Sequence, residues 1–270
     1  MLAGTGSTFF SFLSKNQFMG ENYAVPEQMH MSLNHSVERI QKDWLGANEI
    51  PFLEYCMYHT IPPVRWVTIV SRVALFPGFL LVPGQKPENR KSYCSVFLAL
   101  THPFSSGTVH IASSDPLTAP AIDYQVLDNE VDLEALVNAV KFARKLATTP
   151  NLSAVFTHDV IPGVGIQTDD EIKEFIRLTI DTVFHPIGTA AVLLRENGGV
   201  VDPCLKLYGT SNLRVVSGIN FALSEWIGDS DQIDASIIPI HLSAHIQATV
   251  YAIAEKVTSL FDWLRLLITA

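Results

Sequence analysis

The chain is short of cysteine, of positive charge and of long apolar runs. Its three cysteines are Cys56, Cys94 and Cys204. They share no metal-ligand spacing such as C-x-x-C, so no zinc site is expected, and an odd count gives no disulfide framework. Charged residues make up 17% of the chain, the formal net charge is -9, and Lys and Arg form no stripe. That balance argues against nucleic acid or an anionic membrane as partner, since phosphate binding needs clustered Lys and Arg. The apolar stretch 73–83 holds Pro77 and Gly78 and is too short to span a bilayer; it reads as a buried loop or a lining segment. Residues 1–13 are apolar but follow no basic n-region, so they make a poor secretory signal and leave localisation open. No internal repeat or low-complexity tract is found.

What is present is a globular composition. Hydrophobic residues make up 48% of 270, enough for one large domain or two smaller ones. Leu33, Val37, Ile40 and Trp44 recur at helical spacing over 32–44. The remainder of 1–50 lacks a clear period, and 51–90, rich in proline and aromatics, reads as irregular structure over a core or pocket. Residues 93–100 read as a buried strand, and 108–112 as a second strand after the turn Ser105-Ser106-Gly107. The pairs Asp115-Pro116 and Ala119-Pro120 mark the exit.

Three helices are expected beyond this point. The first covers about 129–147, with Leu133, Leu136, Val137, Val140 and Ala143 on one face and charges that suit the helix dipole. The second starts at Thr168 with Glu171 three residues on, a capping box, and turns Ile172, Phe175, Ile176 and Thr179 inward. The third covers about 246–261, with Val250, Ile253, Val257 and Phe261 in line.

Two histidines stand apart by context. His185 lies in Phe184-His185-Pro186-Ile187-Gly188-Thr189, where the proline breaks regular structure and leaves the imidazole at a chain turn. His245 lies just before the last helix, where unpartnered backbone N–H groups favour an electron-rich ligand. A neutral imidazole there can take a proton near neutral pH. His30, His35, His59, His102, His110 and His158 read as ordinary structural histidines, and His241 as part of a loop wall.

Three successive stretches resemble the C-terminal part of the glucose-methanol-choline (GMC) family of flavin-dependent alcohol oxidoreductases. The first is His102-Pro103-Phe104-Ser105-Ser106-Gly107-Thr108-Val109-His110-Ile111, with Asp115-Pro116. The second runs from Phe184-His185-Pro186-Ile187-Gly188-Thr189 through Gly199-Val200-Val201-Asp202-Pro203 to Leu213-Arg214-Val215. The third is Asp234-Ala235-Ser236-Ile237-Ile238-Pro239, followed by His241-Leu242-Ser243-Ala244-His245-Ile246-Gln247-Ala248-Thr249. The likeness is clear over 92–265 and looser over 1–91.

The resemblance implies an α+β fold. Residues 1–183 would form a substrate domain, an antiparallel sheet backed by helices. Residues 184–270 would carry both histidines and the C-terminal strand and helix of an incomplete FAD-binding α/β domain. It implies oxidation of a primary alcohol, aromatic or polyketide-like, to an aldehyde. His185 would be the general base and His245 a hydrogen-bond partner of the same oxygen, with hydride passing to flavin N5. Asp234, Ala235, Ile246 and Gln247 match positions that touch FAD; for Asp234 a plain loop cap is the equal alternative. The partners implied are a small alcohol and an electron acceptor, oxygen or a quinone.

The chain departs from the family pattern twice. No strand–GxGxxG–helix fingerprint for the FAD pyrophosphate occurs: Gly4-Thr5-Gly6 and Gly163-Val164-Gly165 both lack the third glycine. Met1 therefore reads as an internal methionine or the start of a truncated gene model, and a non-catalytic fragment unable to hold FAD is the rival to an enzyme. On that reading the apolar face of the last helix is an aggregation liability. Residues 216–232 interrupt the family's passage from Leu-Arg-Val into Asp-Ala-Ser. They read as an insertion or a retained intron, because Val216-Ser217 and Gln232 allow donor- and acceptor-like codons.

Overall fold

A computed structural model describes residues 7–26, 35–60, 69–70, 93–154, 156, 159, 161–182, 185–215, 235–253 and 255–256. The chain divides into two compact units, one of 1–32 with 38–184 and one of 33–37 with 185–270.

The first unit is built on a sheet. Strand β1 (Ser7–Ser14) runs into a short helix α1 (Lys15–Met19), then comes helix α2 (His35–Ala47), and strands β2 (Pro51–Thr60), β3 (Ile69–Val70) and β4 (Tyr93–Leu100) follow. The sheet order is β1-β2-β4-β3. Neighbours are antiparallel, with Ser11 opposite Tyr55 and Tyr55 opposite Leu98, except that β3 runs parallel to β4. The strand expected at 93–100 is β4. The expectation of irregular structure over 51–90 fails at β2, and β1 falls where no period was evident. Pro51 is compatible with β2 because it opens the strand, where no ladder N–H is required of it. Phe52, Leu53, Tyr55 and Cys56 are all buried, so β2 is covered on both faces and its sequence does not alternate.

A hairpin, β5 (Thr108–His110) with β6 (Ala121–Asp123), extends from this unit. Gly107 opens it because a Cβ there would lie 2.2 Å from the Asp123 carbonyl oxygen, closer than any side chain permits. The hairpin is thinly covered: Ile111 and Leu117 are 91% and 92% exposed.

Helix α3 (Glu130–Ala147) follows the expected bounds closely. Asn129 caps it, its side chain accepting from the Val131 N–H at 3.0 Å. Leu133, Leu136, Val137, Val140 and Ala143 are buried in one core with Leu53, Tyr55 and Leu98 of the sheet. Each of the Leu and Val side chains contributes about 1.5–3 kcal/mol by leaving water. The Tyr55 and Phe142 rings meet edge-on at 6.2 Å.

Helix α4 (Asp169–Thr179) begins with the expected capping box. Glu171 accepts from the N–H groups of Gln167 and Thr168, and its own N–H donates to Thr168 Oγ1. Those hydrogen bonds hold the Glu171 carboxyl below its usual range. The sign follows: the contribution is present above the unfolded-state pKa and lost as pH falls through the lower folded-state value. Thr168→Ala should destabilise the fold by about 1 kcal/mol. It should also flatten the acid limb of the urea midpoint against pH; an unchanged acid limb would remove the cap from this account.

Helix α2 shows the helix expected over 32–44 with a different inner face. Glu38, Gln41 and Leu45 are buried, while Ile40 is 41% exposed. The reason is polar: Gln41 Nε2 donates to the Pro103 carbonyl at 3.1 Å. His102 is buried against Trp44 and Phe52, at ring separations of 5.2 and 6.5 Å. It is a core histidine, as expected from sequence. The segments 73–83 and 216–232, the helix end 257–261, and Asp234, His30 and His158 lie outside the described residues. No helix among the described residues is long and apolar enough to cross a membrane.

Candidate active site

The second unit folds around a small core of Val201, Leu205, Ile237 and Ile238, joined by Ile187, Val192, Val250 and Ile253. Short backbone pairings hold it in place of long strands. Val192 bridges Val201, Val201 bridges Leu207, and Lys206 bridges Arg214. The Asp202 carboxylate accepts from the N–H groups of Cys204 and Lys206 and fixes the turn between them.

Both histidines singled out from sequence lie in this unit. The segment after His185 is tied to the segment after Asp234 by two backbone hydrogen bonds. The Ala190 N–H donates to the Ser236 carbonyl at 2.9 Å, and the Val192 N–H to the Ile237 carbonyl at 3.0 Å. Gly188 has φ +85°, a left-handed conformation that a side chain disfavours, and its missing Cβ would lie 3.6 Å from the Ile238 carbonyl. The turn that Pro186 begins therefore closes directly on the 235–238 segment.

That closure brings the imidazoles together. The His185 and His245 ring centroids are 5.8 Å apart with 46° between planes. They are 60 positions apart in sequence yet in ring contact. His185 is half-buried and His245 exposed. Residues 247–253 are helical, with the Val250 N–H donating to the Ile246 carbonyl at 2.9 Å, so His245 precedes the helix as expected. Buried Ile246 anchors the start of that helix and leaves His245 turned outward.

The remaining site residues are less uniform. Ala235 is half-buried and opens a short 3-10 turn. The Ile246 side chain is committed to the core, so only its backbone faces a ligand. Gln247 is exposed, and its carboxamide donates to the Tyr251 hydroxyl at 3.3 Å. Asp234 is not among the described residues. His241, read from sequence as part of a loop wall, has its Nε2 2.9 Å from the His185 carbonyl oxygen. Its separation by four from His245 was the available signal, a spacing equally common by chance. No group of His, Cys, Asp and Glu among the described residues suits a metal ion.

The chemistry of these side chains is compatible with the neutral polar atoms of a flavin ring, and none of it is a phosphate cradle. Two imidazoles and an exposed carboxamide suit a neutral heterocycle and a nearby alcohol oxygen. A pyrophosphate needs the glycine-rich turn before a helix, and the sequence has no such turn.

Residues 103–222 match the family model for GMC oxidoreductase. The matched stretch includes His185 and stops before His245. Over 161 residues the chain is 37% identical to the GMC oxidoreductase family protein Mala s 12 of Malassezia sympodialis, covering 60% of this chain and 23% of that one. It is 30% identical over 154 residues to an alcohol dehydrogenase [acceptor] of Pseudomonas putida, covering 57% and 25%. Among solved structures it resembles a fungal aryl-alcohol oxidase, with TM-score 0.57, 28% identity, and coverage of 83% of this chain and 30% of that one. The chain thus spans about a quarter of the length of these curated relatives. Residues 103–222 thus carry the GMC oxidoreductase family match, and the chain as a whole is similar in fold to solved members of that family.

Proposed function

We propose that this chain supplies the proton-handling half of an FAD-dependent alcohol oxidation site. The observation that carries the reading is the His185–His245 pair, with 5.8 Å between ring centroids. In this reading the primary alcohol, aromatic or polyketide-like, places its oxygen between the two rings. His185, held by the turn before Pro186, takes the hydroxyl proton. His245, a rotatable donor ahead of its helix, hydrogen-bonds the same oxygen and keeps it oriented. Removing the proton raises electron density on the oxygen and makes the carbinol hydrogen a better hydride. FAD, when bound, supplies the two-electron acceptor. Gln247, Ala235 and the Ile246 backbone would contact it, together with Asp234. Oxygen or a quinone would take up the electrons finally.

The alcohol class rests on the names of relatives, an aryl-alcohol oxidase and an alcohol dehydrogenase. In this reading 1–183 is the substrate-binding region, and 184–270 the histidine-bearing region that joins a flavin domain. Residues 216–232 are an insertion in it.

A second reading is that the chain alone holds no flavin, and the missing glycine-rich turn favours it. One measurement separates the two. The full chain is incubated with FAD, desalted and scanned in the visible range, and its melting temperature is followed against FAD concentration. A retained flavin band that bleaches anaerobically with an aromatic primary alcohol is expected if the chain is self-sufficient. A colourless protein whose melting temperature does not respond to FAD supports the fragment reading.

A further inference from the structure

His241 has no part in the chemistry above, yet it is the side chain joined to the His185 main chain. Its Nε2 lies 2.9 Å from the His185 carbonyl oxygen. A carbonyl only accepts, so His241 Nε2 carries a proton, and in the neutral ring Nδ1 is then the acceptor. The carbonyl in question belongs to the residue before a proline. Pro186 has no N–H and confines His185 to extended backbone, so the peptide plane joining them is already restricted. A hydrogen bond on that plane's oxygen removes most of the freedom left. The direction of the His185 Cα–Cβ bond, from which its ring projects, follows from that plane.

The same contact acts on the other histidine. His241 lies four residues before His245, and buried Ile246 lies just after it. The 241–246 segment is thereby held at both ends, by a side-chain hydrogen bond at one and by core packing at the other. One imidazole spans the two segments that carry the pair.

We propose that His241 is a positioning residue: by donating from Nε2 to the His185 carbonyl it fixes the backbone from which the His185 ring projects toward His245. This rests on the reading of His185 as the base, but its structural half can be tested without any turnover. Gln at 241 offers an N–H to the same carbonyl, and Leu fills similar space without a donor.

The test begins with long-range 1H–15N correlation spectra of the 15N-labelled full chain. His241 should appear as the Nε2–H tautomer in its neutral form. His241→Leu should move the ring resonances of both His185 and His245, and His241→Gln should leave them near their original positions. Amide spectra of both variants check that the unit stays folded. A His241 in the Nδ1–H form, or ring resonances that Leu leaves unmoved, would overturn the proposal. So would a Gln variant that disturbs them as much as Leu. In flavin-loaded protein, His241→Leu should lower kcat about tenfold or more through misalignment, with little change in KM and recovery in His241→Gln. A His185 variant of full activity would sink the functional reading instead, and the ring spectra would still decide the role of His241.

Discussion

Replacing His185 with glutamine is expected to lower the rate of alcohol oxidation in the flavin-loaded protein by about 10²–10⁴-fold, the usual contribution of a positioned general base. Glutamine keeps a polar group of similar reach at the turn before Pro186. It offers a donor and an acceptor but does not take up a proton near neutral pH. The loss should therefore fall on kcat, with KM changing less, because the alcohol oxygen retains a hydrogen-bonding neighbour. His245→Gln is expected to be milder, since its assigned role is a hydrogen bond that a carboxamide can still make. The double variant should fall little below His185→Gln, because two groups acting on one oxygen do not contribute independently. If the order of the two single variants reversed, the roles of the histidines would have to be exchanged. Equal and small losses in both would mean that the ring pair lies beside the reacting oxygen without serving it.

The parts of this picture legible in sequence are those where local chemistry and burial agree. Helix α3 reads clearly because its inward positions are all apolar, its cap is an asparagine and its charges follow the dipole. Helix α4 reads clearly because Thr168 and Glu171 satisfy each other's backbone. Helix α2 is legible as a helix, but its most buried positions include Glu38 and Gln41, which a search for apolar period treats as outward. Strand β2 was missed because it is covered on both sides and so does not alternate, while Pro51 looks like a breaker. Strand β6 was missed because its three residues are exposed and lie beyond two prolines. The histidine pair was legible only through motif wording. No periodicity links positions 185 and 245; the link is two backbone hydrogen bonds between segments that are neither regular strand nor helix. His241 was passed over for a related reason, because its partner is a carbonyl, and carbonyls are identical at every position of a sequence.

The largest stability effect is expected away from the histidines, at Asp132. This carboxylate lies in the first turn of α3 and is 2% exposed. Its Oδ1 accepts from the Phe104 N–H at 2.9 Å and its Oδ2 from the Ser105 N–H at 2.7 Å. Ser105 Oγ in turn accepts from the Asn129 N–H at 3.0 Å. One side chain thus binds the 101–105 turn, with buried His102 and Phe104, to the start of the main core helix. Asp132→Ala leaves two N–H groups without an acceptor in a region closed to water, at a cost of about 3 kcal/mol. For a domain of this size that lowers Tm by about 10 °C. Asp132→Asn should fall between, because its carbonyl can still serve Phe104 while its amide meets the Ser105 N–H donor to donor. Burial pushes the Asp132 carboxyl up from its usual range, and the hydrogen bonds from Ser105 and Phe104 only partly offset it. A raised folded-state pKa contributes stability that is full below the unfolded-state value and is lost as pH rises through the folded one. The stability difference between the natural chain and Asp132→Ala should therefore be largest in acid and shrink as pH rises toward neutrality. Urea titrations of both proteins across that range measure it directly. A difference that grew with pH would show that the hydrogen bonds to the charged form outweigh the cost of burying it. Asp132 would then act as an anionic anchor.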